Sequence, residues 1–175
     1  MTTHHHRRSI RLKDYDYAQN GAYFVTICAQ EKRCIFGQVV DGVMVVNEWG
    51  QIVTQEWEQT AAVRSNVELD AFVVMPNHVH GILVITNDVG DTVGATRRVA
   101  PTSTTLQSGS LGAIIGQFKS AVTRAINRLP DAPDHPIWQR NYYEHIIRSE
   151  DTLNTIRAYV ANNPAKWAED SLYVS

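Results

Sequence analysis

The chain has 175 residues, 43% of them hydrophobic and 19% charged, which suits one ordinary domain with its own core and excludes a chain disordered throughout. Lys plus Arg is 16, Asp plus Glu is 18, and the net charge is −2, so a globally basic nucleic-acid binder is excluded but a local basic patch is not. Cys28 and Cys34 are too few for a disulfide framework or a zinc ribbon, no apolar run approaches the roughly 18 residues of a membrane span, and MTTHHHRRSIRLKDYDY lacks the apolar stretch of a secretory signal; the expectation is a soluble, reduced, cytoplasmic protein.

Residues 1–20 read as a basic arm carrying Arg7, Arg8, Arg11 and Lys13, either touching phosphates or simply solvated. The β-branched and aromatic run 22–29 (AYFVTICA) predicts a buried strand. In IFGQVVDGVMVVN, Asp41-Gly42 between two apolar runs predicts a hairpin. Trp49, Ile52, Val53 and Trp57 recur at helical spacing and predict a helix from about 47 to 62. VELDAFVVMPNHVHGILVIT predicts two strands around Met75-Pro76-Asn77, apolar at nearly every position as central strands are. Residues 87–110, rich in Thr, Ser and Gly, predict a flexible loop. Leu111 to Leu129 returns to helical period through Ile114, Ile115, Phe118, Val122 and Ile126. IWQRNYYEHII alternates like a strand, and Ser149 then offers an N-cap to a last helix that Pro164 ends. Short links between paired strands make them antiparallel, so the expected fold is α+β: a ferredoxin-like (RRM-like) antiparallel sheet with helices packed on one face.

His78 and His80 hold the most suggestive chemistry. Side chains at i and i+2 of a strand share a face, with Cα atoms about 6.6 Å apart, and two such imidazoles can converge on one metal at about 2.1 Å per bond. Val79 faces the other way and anchors the strand. The pair is equally compatible with two hydrogen-bonded histidines near a strand end, but ionisable side chains at the mouth of an apolar hairpin are costly without partners. Tyr159 and Asn163, at i and i+4, share one face of the last helix and can present a nucleophile and a metal ligand to one phosphate; a half-buried aromatic and a helix C-cap are their plain alternatives. Tyr142 and Tyr143 are runner-up nucleophiles, and strand alternation lets at most one of them face the site.

Taken together, MPNHVHGILVI, FKS on a helix, WQRNYYEHIIR and IRAYVANNPAKW resemble the REP-associated tyrosine transposases, single-strand transposases of the HUH superfamily (histidine, hydrophobic residue, histidine). The resemblance covers about residues 7–168. It implies a single catalytic domain over 21–168, with the loop 87–110 inside it and a tail at 169–175. The family's His pair falls on His78 and His80. Its nucleophilic tyrosine, four residues before a metal-binding Gln or Asn, falls on Tyr159 and Asn163, with Asn162 as a neighbour. The implied activity is metal-dependent cleavage and rejoining of single-stranded DNA near hairpins such as palindromic repeats. Mg²⁺ or Mn²⁺ would be held by His78, His80 and Asn163, and Tyr159 would form a 5′-phosphotyrosine. Monomer and homodimer both remain open, and the length of the chain favours catalysis in cis.

Candidate DNA contacts are Arg7, Arg8, Arg11, Arg97, Arg98, Lys119 and Arg124 for phosphates, and Trp138 and Tyr142 for stacking on bases. The same charges also serve solubility, and the same aromatics serve packing. The competing function is a non-catalytic single-stranded nucleic-acid binding module, a domesticated transposase acting as a regulator, since the same sheet carries RNA-recognition modules. A structural metal site ranks last, because it needs four Cys or His ligands.

Overall fold

The computed structural model describes residues 19–86 and 109–174. The basic arm with Arg7, Arg8 and Arg11, and the loop with Arg97 and Arg98, lie outside the described residues. The first strand, β1 (Gly21–Cys28), is followed by a hairpin of β2 (Gly37–Val40) and β3 (Val43–Val46). Its turn places Asp41 and Gly42 at φ 50° and 75°, the paired left-handed conformation that an Asp-Gly two-residue turn supplies most readily. Helix α1 (Glu48–Ala62) begins at Asn47, whose side chain accepts from the Gly50 amide. Strands β4 (Val67–Met75) and β5 (His78–Ile85) pair tightly. Helix α2 (Leu111–Ile126) is capped by Ser110, the end of the predicted loop. Strand β6 (Tyr143–Ile147) and helix α3 (Glu150–Asn162) follow, and Ser149 caps α3 as expected.

The main sheet runs β4-β5-β1-β6 with every pair antiparallel. The α+β antiparallel architecture is as predicted, but the helices cover both faces, not one. The first face packs Tyr23, Val25, Ile27, Val79 and Leu83 against Val53 and Trp57 of α1 and Ile114, Ile115, Phe118 and Val122 of α2. Each fully buried aliphatic side chain there stabilises the fold by about 1.5–3 kcal/mol. Trp57 stacks on Phe72 at 4.7 Å and meets Phe118 edge-on. Gly81 is required beneath it, because a Cβ at that position would overlap the Trp57 ring.

The second face has a smaller apolar patch, Phe24, Ile82, Ile147 and Val160, with Leu153 and Ile156 packed beside it. Helix α3 lies here. The reason for the two-sided cover is period 2 in the central strands: one parity is apolar throughout, and the other still carries Phe24 and Ile82, so that face needs a cover too. Arg157 adds a fork to Asp70 of β4, at 2.9 and 3.2 Å from Nε and 2.6 Å from Nη2. Asp70 lies in the irregular stretch between Leu69 and Phe72 that breaks the β4 register. The predicted strand over IWQRNYYEHII shortens to β6. Its first half leaves the regular ladder, keeping an isolated bridge from Trp138 to Ala29, and Lys119 Nζ donates to the Gln139 and Arg140 carbonyls there at 2.6 and 3.1 Å.

Candidate metal centre and nucleophile

Register sets the site. Thr26 of β1 pairs with His80 and Cys28 with His78 across the β1–β5 ladder, so these side chains emerge on the α3 face while Val79 enters the opposite core. His78 and His80 are buried. Asn77, in the turn between β4 and β5, donates through Nδ2 to the Lys32 and Leu172 carbonyls at 3.1 and 2.8 Å. Its Oδ1 is thereby turned to His78 Nδ1, 2.8 Å away. An amide oxygen accepts, so His78 carries its proton on Nδ1 and leaves Nε2 as a lone pair. His80 Nδ1 is 2.9 Å from Thr26 Oγ1. The two Nε2 atoms face each other at 3.0 Å.

Burial pushes the His78 pKa down to about 4, with the Lys32 charge adding to the effect and Asp170 opposing it. Burial, then the neighbouring His78, pushes His80 down to about 3. Both rings are neutral at physiological pH, the form that ligates metal. Asp170 completes a triad: one ligand atom from each of His78, His80 and Asp170 lies within 4.8 Å of the others. Burial works to raise the Asp170 pKa, but the Leu172 amide and the Asn163 amide group outweigh it, so the carboxyl is held below its usual range. Those donors lie at 2.6 and 3.0 Å.

Tyr159 brings its hydroxyl to 3.2 Å from His80 Nε2, with its ring edge-on to Phe24. Burial, helped by the Asp170 charge, raises the phenol pKa. Asn163 is buried in the same corner and its Oδ1 has no hydrogen-bond partner among the described residues. A buried amide oxygen without a donor is costly. The unpaired Oδ1, the His78 Nε2 lone pair and the His80 Nε2 facing it are the arrangement that a divalent ion would satisfy, so the donor set fits a metal of imidazole, carboxylate and amide ligation. Trp167 lies beside His78 at 5.9 Å between ring centroids and packs on Tyr173.

The structure thus brings together His78, His80, Tyr159 and Asn163. It also adds residues that sequence reasoning missed. Asp170 and Leu172 fall in the segment 169–175 expected to be a tail, and Lys32 and Asn77 come from turns. Asp170 had no motif to mark it. The other expected DNA contacts fare differently. Lys119 is engaged with two backbone carbonyls, so it is a clamp and not a phosphate contact. Trp138 is buried, with its ring 5.0 Å from Phe36, so it packs in the core and offers no face to a base. Arg124 is exposed on α2, which covers the other face of the sheet. Tyr142 and Tyr143 both line a cleft of about 420 Å³ that also contains Phe24, His80 and Tyr159. The alternation argument allowed only one of them, but Tyr142 precedes β6, where alternation does not apply.

No protein-family model matches the chain. An uncharacterized protein of Haemophilus influenzae is 42% identical over 172 residues, covering 97% of this chain and 94% of its own length. The chain belongs to the family of that Haemophilus protein. Among solved structures, a REP-associated tyrosine transposase bound to a REP hairpin aligns with a TM-score of 0.59 at 21% identity, covering 91% of this chain and 74% of its own. The chain therefore shares the fold of that transposase, as the sequence resemblance implied. A candidate transposase from Deinococcus radiodurans aligns with a TM-score of 0.49 at 19% identity over 88% of this chain and 97% of its own. Among the described residues, no helix is long and apolar enough to cross a membrane.

Proposed function

We propose that the chain is a metal-dependent enzyme that nicks and rejoins single-stranded DNA, with Tyr159 as the nucleophile. The observation that carries this reading is one cluster from one chain: the Tyr159 hydroxyl 3.2 Å from His80 Nε2, beside a triad of His78, His80 and Asp170. The His78 and His80 Nε2 atoms, the Asp170 carboxylate and the Asn163 Oδ1 would hold Mg²⁺ or Mn²⁺. Such an ion supplies Lewis-acid polarisation of a phosphodiester and neutralises its developing charge.

The protein's own groups do the rest. Tyr159 Oη forms a bond to phosphorus while the bond from phosphorus to the 3′ oxygen breaks, giving a 5′-phosphotyrosine and a free 3′-OH. The phenol proton leaves to water, and the departing 3′ oxygen takes up a proton as the bond to phosphorus breaks. Reversal by a 3′-OH restores a phosphodiester with no external energy. Thr26 and Asn77 fix the two imidazoles by their outer nitrogens, the usual way in which a protein orients metal-binding histidines. Tyrosine and histidines from the same chain support catalysis in cis. A solved transposase of the same fold is bound to a REP hairpin, which supports a single strand beside a stem-loop as the substrate.

The deciding experiment incubates the protein and a hairpin-bearing single strand with Mn²⁺ or Mg²⁺ and maps the covalent adduct by mass spectrometry. The expected adduct is on Tyr159, absent after chelation. An adduct on Tyr142 or Tyr143 would move the nucleophile off α3. Tight binding with no adduct under either metal would leave the non-catalytic binding module as the function.

A further inference from the structure

We infer that the cleft beside Tyr159 is a nucleobase subsite, walled by Gln139, Asn141 and Tyr143, that selects the unpaired nucleotide at the cleavage point. The inference rests on the strand-cleavage reading for the identity of its substrate; the cleft shares His80 and Tyr159 with the cluster, but Gln139, Asn141 and Tyr143 lie outside it.

The first feature is chemistry. Among the described residues no Lys, Arg, Asp or Glu lines the cleft, so away from His80 and Tyr159 it carries no charge, which suits an uncharged group such as a base better than a second phosphate. Phe24, Tyr142, Tyr143 and Tyr159 supply aromatic surface, and Tyr143 is 48% exposed. Aromatic faces of this kind stack on bases without needing a particular sequence. The carboxamides of Gln139 and Asn141 also line the cleft, and each presents two donors and an acceptor. That mixture matches the hydrogen-bonding edges of a base that has left its partner. At about 420 Å³ the space falls within the usual range for a small-molecule subsite.

Rigidity is the second feature. The wall is an irregular stretch, yet it is tied down before any ligand arrives. The Gln139 amide donates to the Cys28 carbonyl at 3.0 Å, and Trp138 bridges Ala29. Lys119 then holds the carbonyls of Gln139 and Arg140. An ammonium drawn in to clamp two successive carbonyls fixes the backbone from which both carboxamides project. A wall ordered in advance spends less entropy on binding and discriminates better. Lys119, on this view, is a positioning residue for selectivity.

Two measurements test the subsite. In the first, Tyr159→Phe protein is irradiated with single-stranded 12-mers carrying 5-iodouracil at each position in turn, and the crosslinked peptide is sequenced. Crosslinks on Tyr142 or Tyr143 are expected. Crosslinks confined to other segments, or none, overturn the subsite, and this readout needs no cleavage. In the second, wild-type protein forms adducts with a stem-loop flanked by four randomised nucleotides, and the captured strands are sequenced. One position beside the cleavage point should show a base preference. Gln139→Ala and Asn141→Ala should each lower kcat/KM on the preferred base about tenfold more than on the disfavoured bases. Lys119→Met should flatten the same position, and Lys119→Arg should restore it. A preference untouched by both carboxamide variants would overturn the assignment. Crosslinks to Tyr143 with no adduct in any wild-type reaction would instead retain the subsite and reject the cleavage chemistry.

Discussion

The two faces of one four-stranded sheet differ in kind. Toward α1 and α2, β1 and β5 present Tyr23, Val25, Ile27, Val79 and Leu83, a continuous apolar layer closed by Trp57 and Phe118. Toward α3 the same two strands present Thr26, Cys28, His78 and His80, with only Phe24, Ile82, Ile147 and Val160 as a buried apolar patch. Because successive side chains alternate, Val79 stabilises the strand that His78 and His80 use. The lesson is a division of labour: one face supplies the free energy, so the other can hold two neutral imidazoles and a carboxylate in a fixed, strained-for-solvation cluster. Substitutions on the two faces should therefore separate cleanly into losses of activity and losses of stability.

The largest separation is expected at Tyr159. Tyr159→Phe removes one oxygen from a half-exposed ring, so adduct formation should vanish entirely while Tm stays at the wild-type value. His80→Ala should likewise abolish the adduct and, in addition, metal binding seen by calorimetry. A fall in Tm for Tyr159→Phe comparable to that of a core variant would break the comparison. On the other face, Trp57→Ala should cost about 3–5 kcal/mol of stability by urea unfolding, because it empties a site filled by a fully buried ring. Its metal affinity, measured below the unfolding midpoint, should be unchanged. Equal loss of metal affinity would mean that the two faces are not independent.

A pH series sharpens the same contrast. His78 and His80 are neutral in the fold, with pKa values about 4 and about 3 against 6.5 unperturbed. Below pH 6.5 the unfolded chain binds protons that the folded chain refuses, so it is favoured by acid. The metal-free protein should hold its stability above that pH and lose it progressively as the pH falls toward about 4. Replacing both histidines by glutamine should flatten this slope, and an unchanged slope would locate the acid sensitivity elsewhere. The smallest effect is expected from the α3 clasp. The Arg157 hydrogen bonds hold the Asp70 carboxyl below its usual range. Asp70→Asn should barely move Tm, since the partners are partly exposed, but should slow adduct formation by letting α3 and Tyr159 shift. Metal affinity should not change, because the histidines stand on β5. A slowed rate that tracks a lost metal would contradict a positioning role.

Much of the site was legible because its signals are local. The His-x-His spacing on a strand and the i,i+4 pair of Tyr159 and Asn163 on a helix each imply a shared face from backbone period alone. Asp170 was not legible, since a single carboxylate in a polar C-terminal segment carries no pattern; only the fold-back after Pro164 brings it to Asn163 and the histidines. Lys119 was misread for the complementary reason. A cation on a helix looks like a phosphate contact until the chain path places two carbonyls around it. Trp138 looked like a stacking platform until Phe36 and Phe118 were seen to enclose it.

By itself, then, the amino-acid order determined whatever depends on periodicity and caps: the strands, the Asp41-Gly42 turn, the helices begun by Asn47, Ser110 and Ser149, and the common face of His78 and His80. Tertiary structure alone decided that helices cover both sides of the sheet, that Tyr142 and Tyr143 share a cleft, and that Asp170 joins the cluster. Those outcomes depend on contacts between residues far apart in the chain. Their free energy comes from burial and hydrogen bonding that exist only after the sheet has formed, and local spacing carries no record of them.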